Sequence, residues 1–437
     1  MELIRLLSIQ VLRNWVWLRR SQWFDRKQLA EIQTKKLRQI VNHAYRKVSF
    51  YRQLYGGTNL DFSNIDLHGV SRLPLVTKQR FRETPLRQRT AVDANIVRCR
   101  PVYTSGSTGI PLKVMEEPQC MAHEEALSLR SMWAEGVRPF DKVCKVYRTV
   151  PPFLNETNLL TRWLKSKFYR HLPTTDLISE HVNLCSAWKP HVLIASPWYY
   201  RALTRFLEEN GKSLAFERTI SSGDLLDDAT RNRITSAIQA DVFDSYGLNE
   251  VGEVAWECPT HSGYHINAES LLVEFLRDGE PVAAGEPGEV YVTSFCRTAT
   301  PIIRYSTGDV ATPIDDICPC GRGLPLLKNI QGRIADFIQW EDGHLMSPHE
   351  VTDDLQLTFG VEQFRVVQQS DLSIVVYVKT SQKQTDEVSH DLERRCKHLF
   401  GNLPVSIQLV DRFEDEKGPK FRLVESRLAN RKNRPTY

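Results

Sequence analysis

The sequence predicts an α/β protein with at least two domains. The chain has 437 residues, which is more than one hydrophobic core usually supports. Strand and helix patterns alternate between Cys144 and Tyr246, and this alternation favours helices packed around a largely parallel sheet. From Leu271 the apolar residues alternate as they do in antiparallel strands. We therefore expect a large N-terminal domain with mainly parallel sheets and a small α+β C-terminal domain.

The N-terminal stretch is the first element along the chain. Met1 to Leu18 is apolar with arginines interspersed, and Gln10, Arg13 and Asn14 interrupt the apolar core that a secretory signal needs. The spacing fits an amphipathic helix with a basic edge. We expect this helix to pack on the body of the protein, and contact with an anionic membrane is the alternative. No apolar run reaches the length that crosses a bilayer.

The following elements are predicted from apolar periodicity. A stripe of apolar side chains predicts one helix from Gln28 to Tyr55, ended by Gly56 and Gly57. Further helices are expected over Trp198–Glu208, Asp227–Ile238 and Glu387–Leu399. Strands are expected over Ile96–Tyr103, Cys144–Val150, Pro190–Pro197 with Val192–Ala195 at its centre, Ile220–Gly223, Val242–Tyr246, Leu271–Leu276 and Gly288–Phe295, with two more within Glu362–Val378.

The domain boundary is predicted near Gly332, where the composition of the chain changes. Residues 1–331 then form the large domain, which begins with a helical segment over residues 1–90, and residues 332–437 form the small domain.

The overall composition is that of an ordinary globular protein. Hydrophobic residues make up 41% and charged residues 25% of the chain. The net charge of +4 is too small for this length to indicate nucleic-acid binding. Nine cysteines at irregular spacing argue against a disulfide framework and for a reducing compartment, so we expect the cytoplasm.

One polar stretch, Tyr103 to Lys113, stands between two strand-like runs, and its hydroxyl side chains alternate with glycines. Glycine lets the backbone approach a ligand closely, and serine and threonine add short donors. N–H and O–H groups then converge as they do around a phosphate. The stretch is not a Walker loop, because Gly109 is followed by Ile110 and Pro111. A flexible Ser/Gly linker is the alternative.

Further polar turns follow along the chain. Asp244 to Glu250 places an aromatic residue, a glycine and a carboxylate in one turn, which suits a planar base and a divalent cation. Arg304 to Asp309 places a carboxylate after a glycine, where it could accept hydrogen bonds from both hydroxyls of a ribose. Two shorter turns complete the series, Gly332–Asp336 and Gly418–Arg422. Each turn is a weak signal alone, and only the order and spacing of the turns together are specific.

In this order the motifs resemble those of the adenylate-forming superfamily of acyl-CoA synthetases, luciferases and peptide-synthetase adenylation domains. Within that superfamily the chain is most similar to the phenylacetate–CoA ligase group, including its CapK-like members found with polysaccharide biosynthesis. The N-terminal runs Lys36–Ala44, Val48–Arg52 and Leu73–Lys78 resemble the same group. The resemblance covers nearly the whole chain.

The resemblance implies a nucleotide site. The phosphates of ATP would be held by Thr104, Ser105, Gly106, Ser107, Thr108 and Gly109. The adenine would be lined by Gly223, Asp224, Tyr246 and Gly247. Asp309 would bind the ribose hydroxyls with Arg333 beside it, and Glu250 would contact magnesium.

The resemblance also implies catalytic residues, namely Lys420, Glu250 and Thr108. Lys420 matches the C-terminal lysine that bridges the carboxylate and the α-phosphate during adenylation, where a cation stabilises converging negative charge. The resemblance further implies that the small α+β C-terminal domain is mobile, and one position at its hinge departs from the family. The hinge residue after the arginine is usually Asp or Lys, and here it is Ala335, so that Asp336 is the candidate replacement.

A group of cysteines and histidines suggests a metal site. Cys258, His261 and His265 lie close together, and Cys318 and Cys320 follow about fifty residues later. A C-x-C pair with a distant Cys and His is a reasonable tetrahedral zinc set, and a set of reduced, unliganded thiols is the alternative. Some members of the resembled subgroup carry a structural zinc at matching positions, which implies Cys258, His265, Cys318 and Cys320 as the ligands.

The expected function is ATP-dependent activation of a carboxylic acid to an acyl-adenylate, followed by transfer to coenzyme A. The expected cofactors are ATP, Mg²⁺, coenzyme A and a structural Zn²⁺. The expected partners are a small carboxylic acid and coenzyme A or another acyl acceptor, with a second copy of the chain as a candidate homodimer partner and no nucleic acid. Two alternatives stay open: transfer to an amine or hydroxyl in polysaccharide biosynthesis, and a zinc-containing binding protein without turnover. The acid itself is not revealed, although Trp198, Tyr199, Tyr200 and Trp256 could line an aromatic pocket.

Overall fold

The computed structural model describes residues 9–58, 61–104, 112–147, 167–355, 358, 360–380, 386–413 and 422–428. Its helices are α1 (Ile9–Ser21), α2 (Arg26–Lys47), α3 (Ser49–Tyr55), α4 (Lys78–Glu83), α5 (Leu86–Arg89), α6 (Pro118–Ala134), α7 (Ile178–Trp188), α8 (Pro197–Glu209), α9 (Asp228–Ile238), α10 (Pro348–Leu355) and α11 (Asp386–Phe400). Short 3₁₀ turns lie at Gly69–Arg72, Ile96–Arg98 and Ile334–Asp336.

The strands are numbered in the same way. They are β1 (Arg100–Tyr103), β2 (Lys113–Glu116), β3 (Val143–Tyr147), β4 (Tyr169–Pro173), β5 (Val192–Ala195), β6 (Arg218–Ser222), β7 (Asp241–Leu248), β8 (Gly252–Glu257), β9 (Tyr264–Ile266), β10 (Leu271–Arg277), β11 (Glu280–Pro281), β12 (Gly288–Ser294), β13 (Tyr305–Ile314), β14 (Leu326–Arg333), β15 (Ile338–Gln339), β16 (Leu345–Met346), β17 (Val361–Gln368), β18 (Ile374–Thr380), β19 (Val405–Leu409) and β20 (Val424–Ser426).

One large sheet organises the N-terminal part of the chain, with the strand order β11-β10-β12-β13-β14-β9-β8-β7-β6-β5-β3-β4. The strands from β4 to β7 in this order run parallel to their neighbours. From β7 to β11 every neighbouring pair is antiparallel. The parallel half coincides with the predicted alternation of strands and helices, and the antiparallel half includes the region after Leu271. The predicted α/β fold is therefore confirmed.

A separate small sheet lies in the C-terminal part of the chain, with the order β19-β18-β17-β20. Its central pair β17–β18 is antiparallel, and both outer strands pair in parallel. Apolar residues of this sheet and of α11, among them Val366, Val376 and Phe400, form one buried cluster. The predicted small domain is thus present. Gly332 lies inside β14, the last strand of the large sheet, and the exact domain limits stay a prediction.

Two predicted elements are wrong in detail. The helix expected from Gln28 to Tyr55 is broken at Val48, which has extended dihedral angles (φ −121°, ψ 117°), as suits a β-branched residue. The break turns α3 so that Phe50 and Tyr51 are buried. The first half of the strand expected over Ile96–Tyr103 is a 3₁₀ turn instead, and β1 begins only at Arg100.

The N-terminal helix α1 packs on α6, as expected. Val11 and Leu18 form a buried cluster with Ala126 and Leu127 of α6. Within the described ranges, none of the helices combines the length and the apolarity required to span a membrane.

Candidate active site and metal cluster

The hairpin formed by β1 and β2 holds the ends of the predicted phosphate loop together. The backbone N–H of Thr104 donates to the carbonyl of Leu112, and the N–H of Leu112 donates to Oγ1 of Thr104, both at 2.9 Å. The loop therefore begins and ends at one point. The other predicted phosphate contacts, Ser105, Gly106, Ser107, Thr108 and Gly109, lie outside the described residues.

The turn between β7 and β8 lies against this hairpin. Nδ2 of Asn249 donates to the carbonyl of Tyr103 at 3.1 Å. Gly252 ends the turn with a φ of +92°, and a Cβ at this position would lie 2.8 Å from the Glu124 carboxylate. Only glycine suits both the dihedral angle and the space. The turn therefore has a fixed course that brings Glu250 close to the hairpin.

Two of the predicted nucleotide contacts are joined directly. Tyr246 on β7 donates its hydroxyl to Oδ2 of Asp309 on β13 at 2.7 Å. The guanidinium of Arg333 lies on the other side of that carboxylate, with Nε 3.8 Å from Oδ1. Burial raises the pKa of Asp309, and the charge of Arg333 opposes this effect. Tyr246, Asp309 and Arg333 thus form one group although they lie on three different strands.

Gly223 and Asp224 follow β6, which pairs with β7 through Ser222 and Ser245. Gly223 has a φ of +91°, and Asp224 is exposed and accepts a hydrogen bond from the Leu225 N–H. Both residues therefore lie at the same carboxyl edge of the sheet as the end of β7, which is where ligands of such sheets bind.

Glu250 is buried and makes two side-chain contacts at the same atom. Its Oε1 accepts hydrogen bonds from Nζ of Lys78 at 3.0 Å and from the hydroxyl of Tyr305 at 3.1 Å. Val76 pairs with the strand at Arg304 and Ser306, which brings Lys78 to this place. The sequence assigned no role to Lys78, because the contact joins residues 172 positions apart.

A second group that the sequence did not indicate lies beneath the β7–β8 turn. Arg297 is fully buried, and its Nη2 donates to Oε1 of Glu124 at 2.6 Å and to the carbonyl of Asn249 at 3.5 Å. The same nitrogen lies 3.7 Å from Oε1 of Glu116 on β2. Arg297 therefore links the β1–β2 hairpin, helix α6 and the turn that carries Glu250.

The region predicted to carry the catalytic lysine is only partly described. Lys420 lies outside the described residues. Asp336, the candidate hinge residue after Ala335, is buried at the end of a 3₁₀ turn and accepts a hydrogen bond from Nη1 of Arg422 at 2.9 Å. Burial raises the pKa of Asp336, and the charge of Arg422 opposes this effect.

The predicted zinc ligands form one cluster beyond the far end of β8. The ligand atoms of Cys258, His265, Cys318 and Cys320 all lie within 4.8 Å of one another. Sγ of Cys258 is 3.6 Å from Sγ of Cys318, too far for a disulfide, and Sγ of Cys320 is 3.3 Å from Nε2 of His265. Bonds of about 2.0–2.3 Å to a tetrahedral zinc place ligand atoms roughly 3.5–3.8 Å apart, so this donor set fits the ion. His261 instead faces Glu257, at 3.5 Å from Oε2.

A second group of possible metal ligands, Cys120, Glu124 and Cys296, also has its ligand atoms within 4.8 Å of one another. Here the carboxylate of Glu124 is already paired with Arg297. The guanidinium supplies the positive charge that a metal ion would bring.

The aromatic pocket that the sequence suggested is not formed by its four candidate residues. Tyr199 and Tyr200 are buried in the core between β5 and helices α7 to α9, and Trp198 packs against the same core. Trp256 is buried in a different cluster with Leu29. These side chains are therefore core residues, as large aromatic side chains commonly are.

Comparisons with known proteins agree with the resemblance. No family model matches the chain. The phenylacetate-coenzyme A ligase of Escherichia coli (strain K12) is 25% identical over 404 residues, which cover 86% of this chain and 89% of the relative. That of Thermus thermophilus is 26% identical over 329 residues, 72% of each chain. Protein CapK of Staphylococcus aureus is 20% identical over 408 residues, 91% of this chain and 89% of CapK.

A solved structure of 2-hydroxyisobutyryl-CoA ligase in the postadenylation state, in complex with an acyl-AMP, superposes with a TM-score of 0.79 at 19% identity and covers 92% of this chain and 91% of that one. The same ligase with CoA in the thioesterification state gives a TM-score of 0.64 at 20% identity and the same coverage. The chain is thus homologous to phenylacetate–CoA ligases and CapK over most of its length, and it has the fold of adenylate-forming CoA ligases.

Proposed function

We propose that this chain is an ATP-dependent ligase that activates a carboxylic acid as an acyl-adenylate and then transfers the acyl group to coenzyme A. The observation that carries the proposal is the convergence of Tyr246, Asp309 and Glu250 beside the hairpin that closes the phosphate loop. The relatives named phenylacetate-coenzyme A ligase, and the fold shared with a ligase that binds acyl-AMP and CoA, support the same reaction.

The nucleoside is assigned to the carboxyl edge of the large sheet. Asp309 would accept hydrogen bonds from the ribose hydroxyls, held in place by Tyr246 and Arg333. The adenine would lie beside the aromatic ring of Tyr246, against the backbone at Gly223, Asp224 and Gly247. Because Asp309 is already fixed by neighbours, it needs no rearrangement when the nucleotide binds.

The phosphates are assigned to the loop from Thr104 to Gly109, with Thr108 among its donors. Glu250 is the candidate magnesium ligand, since Mg²⁺ prefers one or two carboxylates together with substrate phosphates. Glu250 differs from Glu124 in its cation, because Lys78 is 34% exposed and can move away from the carboxylate when an ion binds, whereas Arg297 beside Glu124 is fully buried. When bound, the ion would neutralise phosphate charge. Lys78, next to Glu250, places a second positive charge at the same point.

Lys420 is assigned to the first half-reaction. A lysine at the α-phosphate would stabilise the charge that builds as the acid attacks. The small domain from Gly332 onward would carry it there and remove it afterwards, with Asp336 near the hinge. The higher TM-score with the postadenylation state than with the thioesterification state, at equal coverage, supports an arrangement close to the former.

The variant Lys420→Ala tests the proposed movement of the small domain. The variant should slow acyl-adenylate formation by about a hundredfold. The transfer step, started from a supplied acyl-adenylate, should stay nearly unchanged. Equal loss in both half-reactions would contradict the assignment, and no loss in either would remove Lys420 from the mechanism.

The cluster of Cys258, His265, Cys318 and Cys320 is assigned to a structural zinc ion. The inter-ligand distances support a tetrahedral site, and four protein ligands leave no open position for substrate. We assign the protein to a reducing compartment, the cytoplasm, which agrees with nine free cysteines.

The deciding experiment is pyrophosphate release from ATP across a panel of carboxylic acids that includes phenylacetate. At least one acid should stimulate release, and coenzyme A should accelerate turnover and yield a thioester. Stimulation by an amine or a sugar in place of coenzyme A would identify the alternative acceptor. No acid-dependent release from folded, zinc-loaded protein would overturn the proposal in favour of a binding protein.

A further inference from the structure

The outer face of α1 is apolar although the helix already packs on the protein. Its inner face contacts α6 through Val11 and Leu18. On the other side, Ile9, Leu12 and Val16 are 85%, 47% and 57% exposed. Their spacing of three and four residues places them in one stripe along the helix. This stripe contributes nothing to the hydrophobic core that the structure describes.

Basic residues surround the stripe. Arg13, Arg19 and Arg20 are exposed on the same helix, and the helix sequence from Ile9 to Ser21 contains no acidic residue. The outer face therefore combines aliphatic side chains with a purely positive charge.

An aromatic rim continues this face onto α6. The guanidinium of Arg19 lies 4.9 Å from the ring centre of Trp15 and 4.8 Å from that of Trp133. Arg138 lies 4.6 Å from the Trp133 ring as well. Both tryptophans are half-buried, and Trp15 also packs against the inner cluster with its Nε1 buried, so that it lies at the edge of this face. Tryptophan and arginine together are typical of surfaces that meet the headgroup region of a bilayer.

We propose that this basic amphipathic surface, made of Ile9, Leu12, Arg13, Trp15, Val16, Arg19, Arg20, Trp133 and Arg138, binds the surface of an anionic phospholipid bilayer. The aliphatic stripe would enter the headgroup boundary while the arginines contact lipid phosphates. The opposite face of α1 stays packed on α6, so the protein would lie on the membrane with its fold intact. This contact is peripheral, and it requires no helix that spans the membrane; none of the described helices is long and apolar enough to do so.

The surface suits a bilayer better than other partners. A nucleic acid would use the arginines and leave the aliphatic stripe in water. A second copy of the chain would place positive charge against positive charge, because the same face would meet itself in a twofold dimer. Anionic lipid satisfies both the charge and the apolar stripe.

The test is co-sedimentation of the full chain with vesicles of phosphatidylcholine alone and of phosphatidylcholine with an equal part of phosphatidylglycerol. We expect binding to the anionic vesicles only, and release when sodium chloride rises from about 0.1 M to about 1 M, because the Debye length falls from about 10 Å to about 3 Å. Arg13→Gln with Arg20→Gln should weaken binding by about 25-fold, at about fivefold for each arginine.

Leu12→Glu with Val16→Glu should weaken binding at least about tenfold, because it removes the apolar contact and adds two negative charges next to anionic lipid. Val92→Glu with Val97→Glu is the matched control, since it adds the same two charges at residues that are 77% and 97% exposed elsewhere on the surface, and it should bind like the unchanged protein. The unfolding temperature of each variant reports folding independently. Equal binding by all variants, or none to either vesicle, would overturn the proposal. So would a dimer in sedimentation velocity that Leu12→Glu with Val16→Glu dissociates.

Discussion

Strand β8 joins two clusters that differ in almost every physical respect. Before its first residue lies the turn with Glu250, whose neighbour Lys78 is 34% exposed. Beyond its last residue lies the group of Cys258, His265, Cys318 and Cys320, in which three of the four members are buried. One end of the strand thus combines charges that are open to a ligand, and the other encloses soft donors.

This difference in exposure and charge determines which kind of function each end can serve. Charged groups at an accessible edge can be rearranged around a substrate with little cost to the fold. Four converging thiol and imidazole groups inside a loop junction have no such freedom, and binding an ion there stabilises the loops that supply them. Loss of activity without loss of stability should therefore characterise the first end, and the reverse should characterise the second.

Arg297→Met should have the largest effect of the series. It should be an exception at the Glu250 end, because it should reduce stability as well as activity. Arg297 lies at the Glu250 end, yet it is a buried structural cation, and its loss leaves Glu124 and Glu116 without their shared partner. We expect a loss of about 3–5 kcal/mol in the free energy of unfolding, together with reduced activity. Denaturant unfolding measures the first and pyrophosphate release the second. A variant with unchanged stability would remove Arg297 from the support of the turn.

Glu250→Gln should show the behaviour of the open end. The amide keeps the shape of the side chain and loses the charge that a magnesium ion needs. Pyrophosphate release should fall by at least about a hundredfold, in the range reported for one electrostatic contact in a transition state. The unfolding temperature should change by less than about 2 °C. Activity that is retained at every magnesium concentration would refute the assignment of Glu250.

Cys320→Ser should show the behaviour of the closed end. Metal analysis should find one zinc per unchanged chain and far less in the variant, with an unfolding temperature lower by about 5 °C or more. Activity per folded molecule should stay within about threefold. Cys120→Ser is the matched control, because its cluster already holds the charge of Arg297 and should bind no zinc. One zinc per chain in Cys320→Ser would contradict the zinc site at Cys320, and loss of zinc from Cys120→Ser would assign the ion to the Cys120 group instead.

The sequence was sufficient where a pattern is local. The buried strand predicted within Pro190–Pro197 forms at the centre of that range, Val192–Ala195, because its apolar run is short and bounded by prolines. The helix break at Val48 was missed because helical periodicity continues on both sides of it. Tyr246, Asp309 and Arg333 were selected through the resemblance of their turn motifs, and the structure places them in contact, while their role in nucleotide binding stays a prediction.

The sequence was insufficient where a residue acquires its role only through distant partners. Arg297 has no helical or strand pattern that marks it as buried, and its carboxylates come from α6 and β2. Lys78 begins a run of polar residues, Lys78–Arg80, and such a run alone predicts the exposed start of a helix. Nothing local to residue 78 indicates that Val76 pairs with the start of β13 and so brings the lysine to Glu250.

Lys78→Met should have the smallest effect of the series, about fivefold in pyrophosphate release, because a partly exposed ion pair contributes at most about 1 kcal/mol. The Lys78→Met change is most informative when it is combined with Glu250→Gln. If Lys78 only orients Glu250, the lysine change should have no further effect once the carboxylate is gone. If Lys78 contacts the phosphates itself, the Lys78→Met change should raise the KM for ATP by a similar factor in the unchanged protein and in Glu250→Gln.

We expect the second result, since Tyr305 also donates to Glu250 and can hold the carboxylate when the lysine is absent. Tyr305→Phe supplies the comparison, because it removes a donor to the same oxygen without removing a charge. A double-mutant cycle measures the coupling in each pair. Strong coupling of Lys78 with Glu250, at an unchanged KM for ATP, would restrict Lys78 to a positioning residue. Coupling confined to Tyr305 would leave Lys78 as the cation that meets the phosphates at the open end of β8.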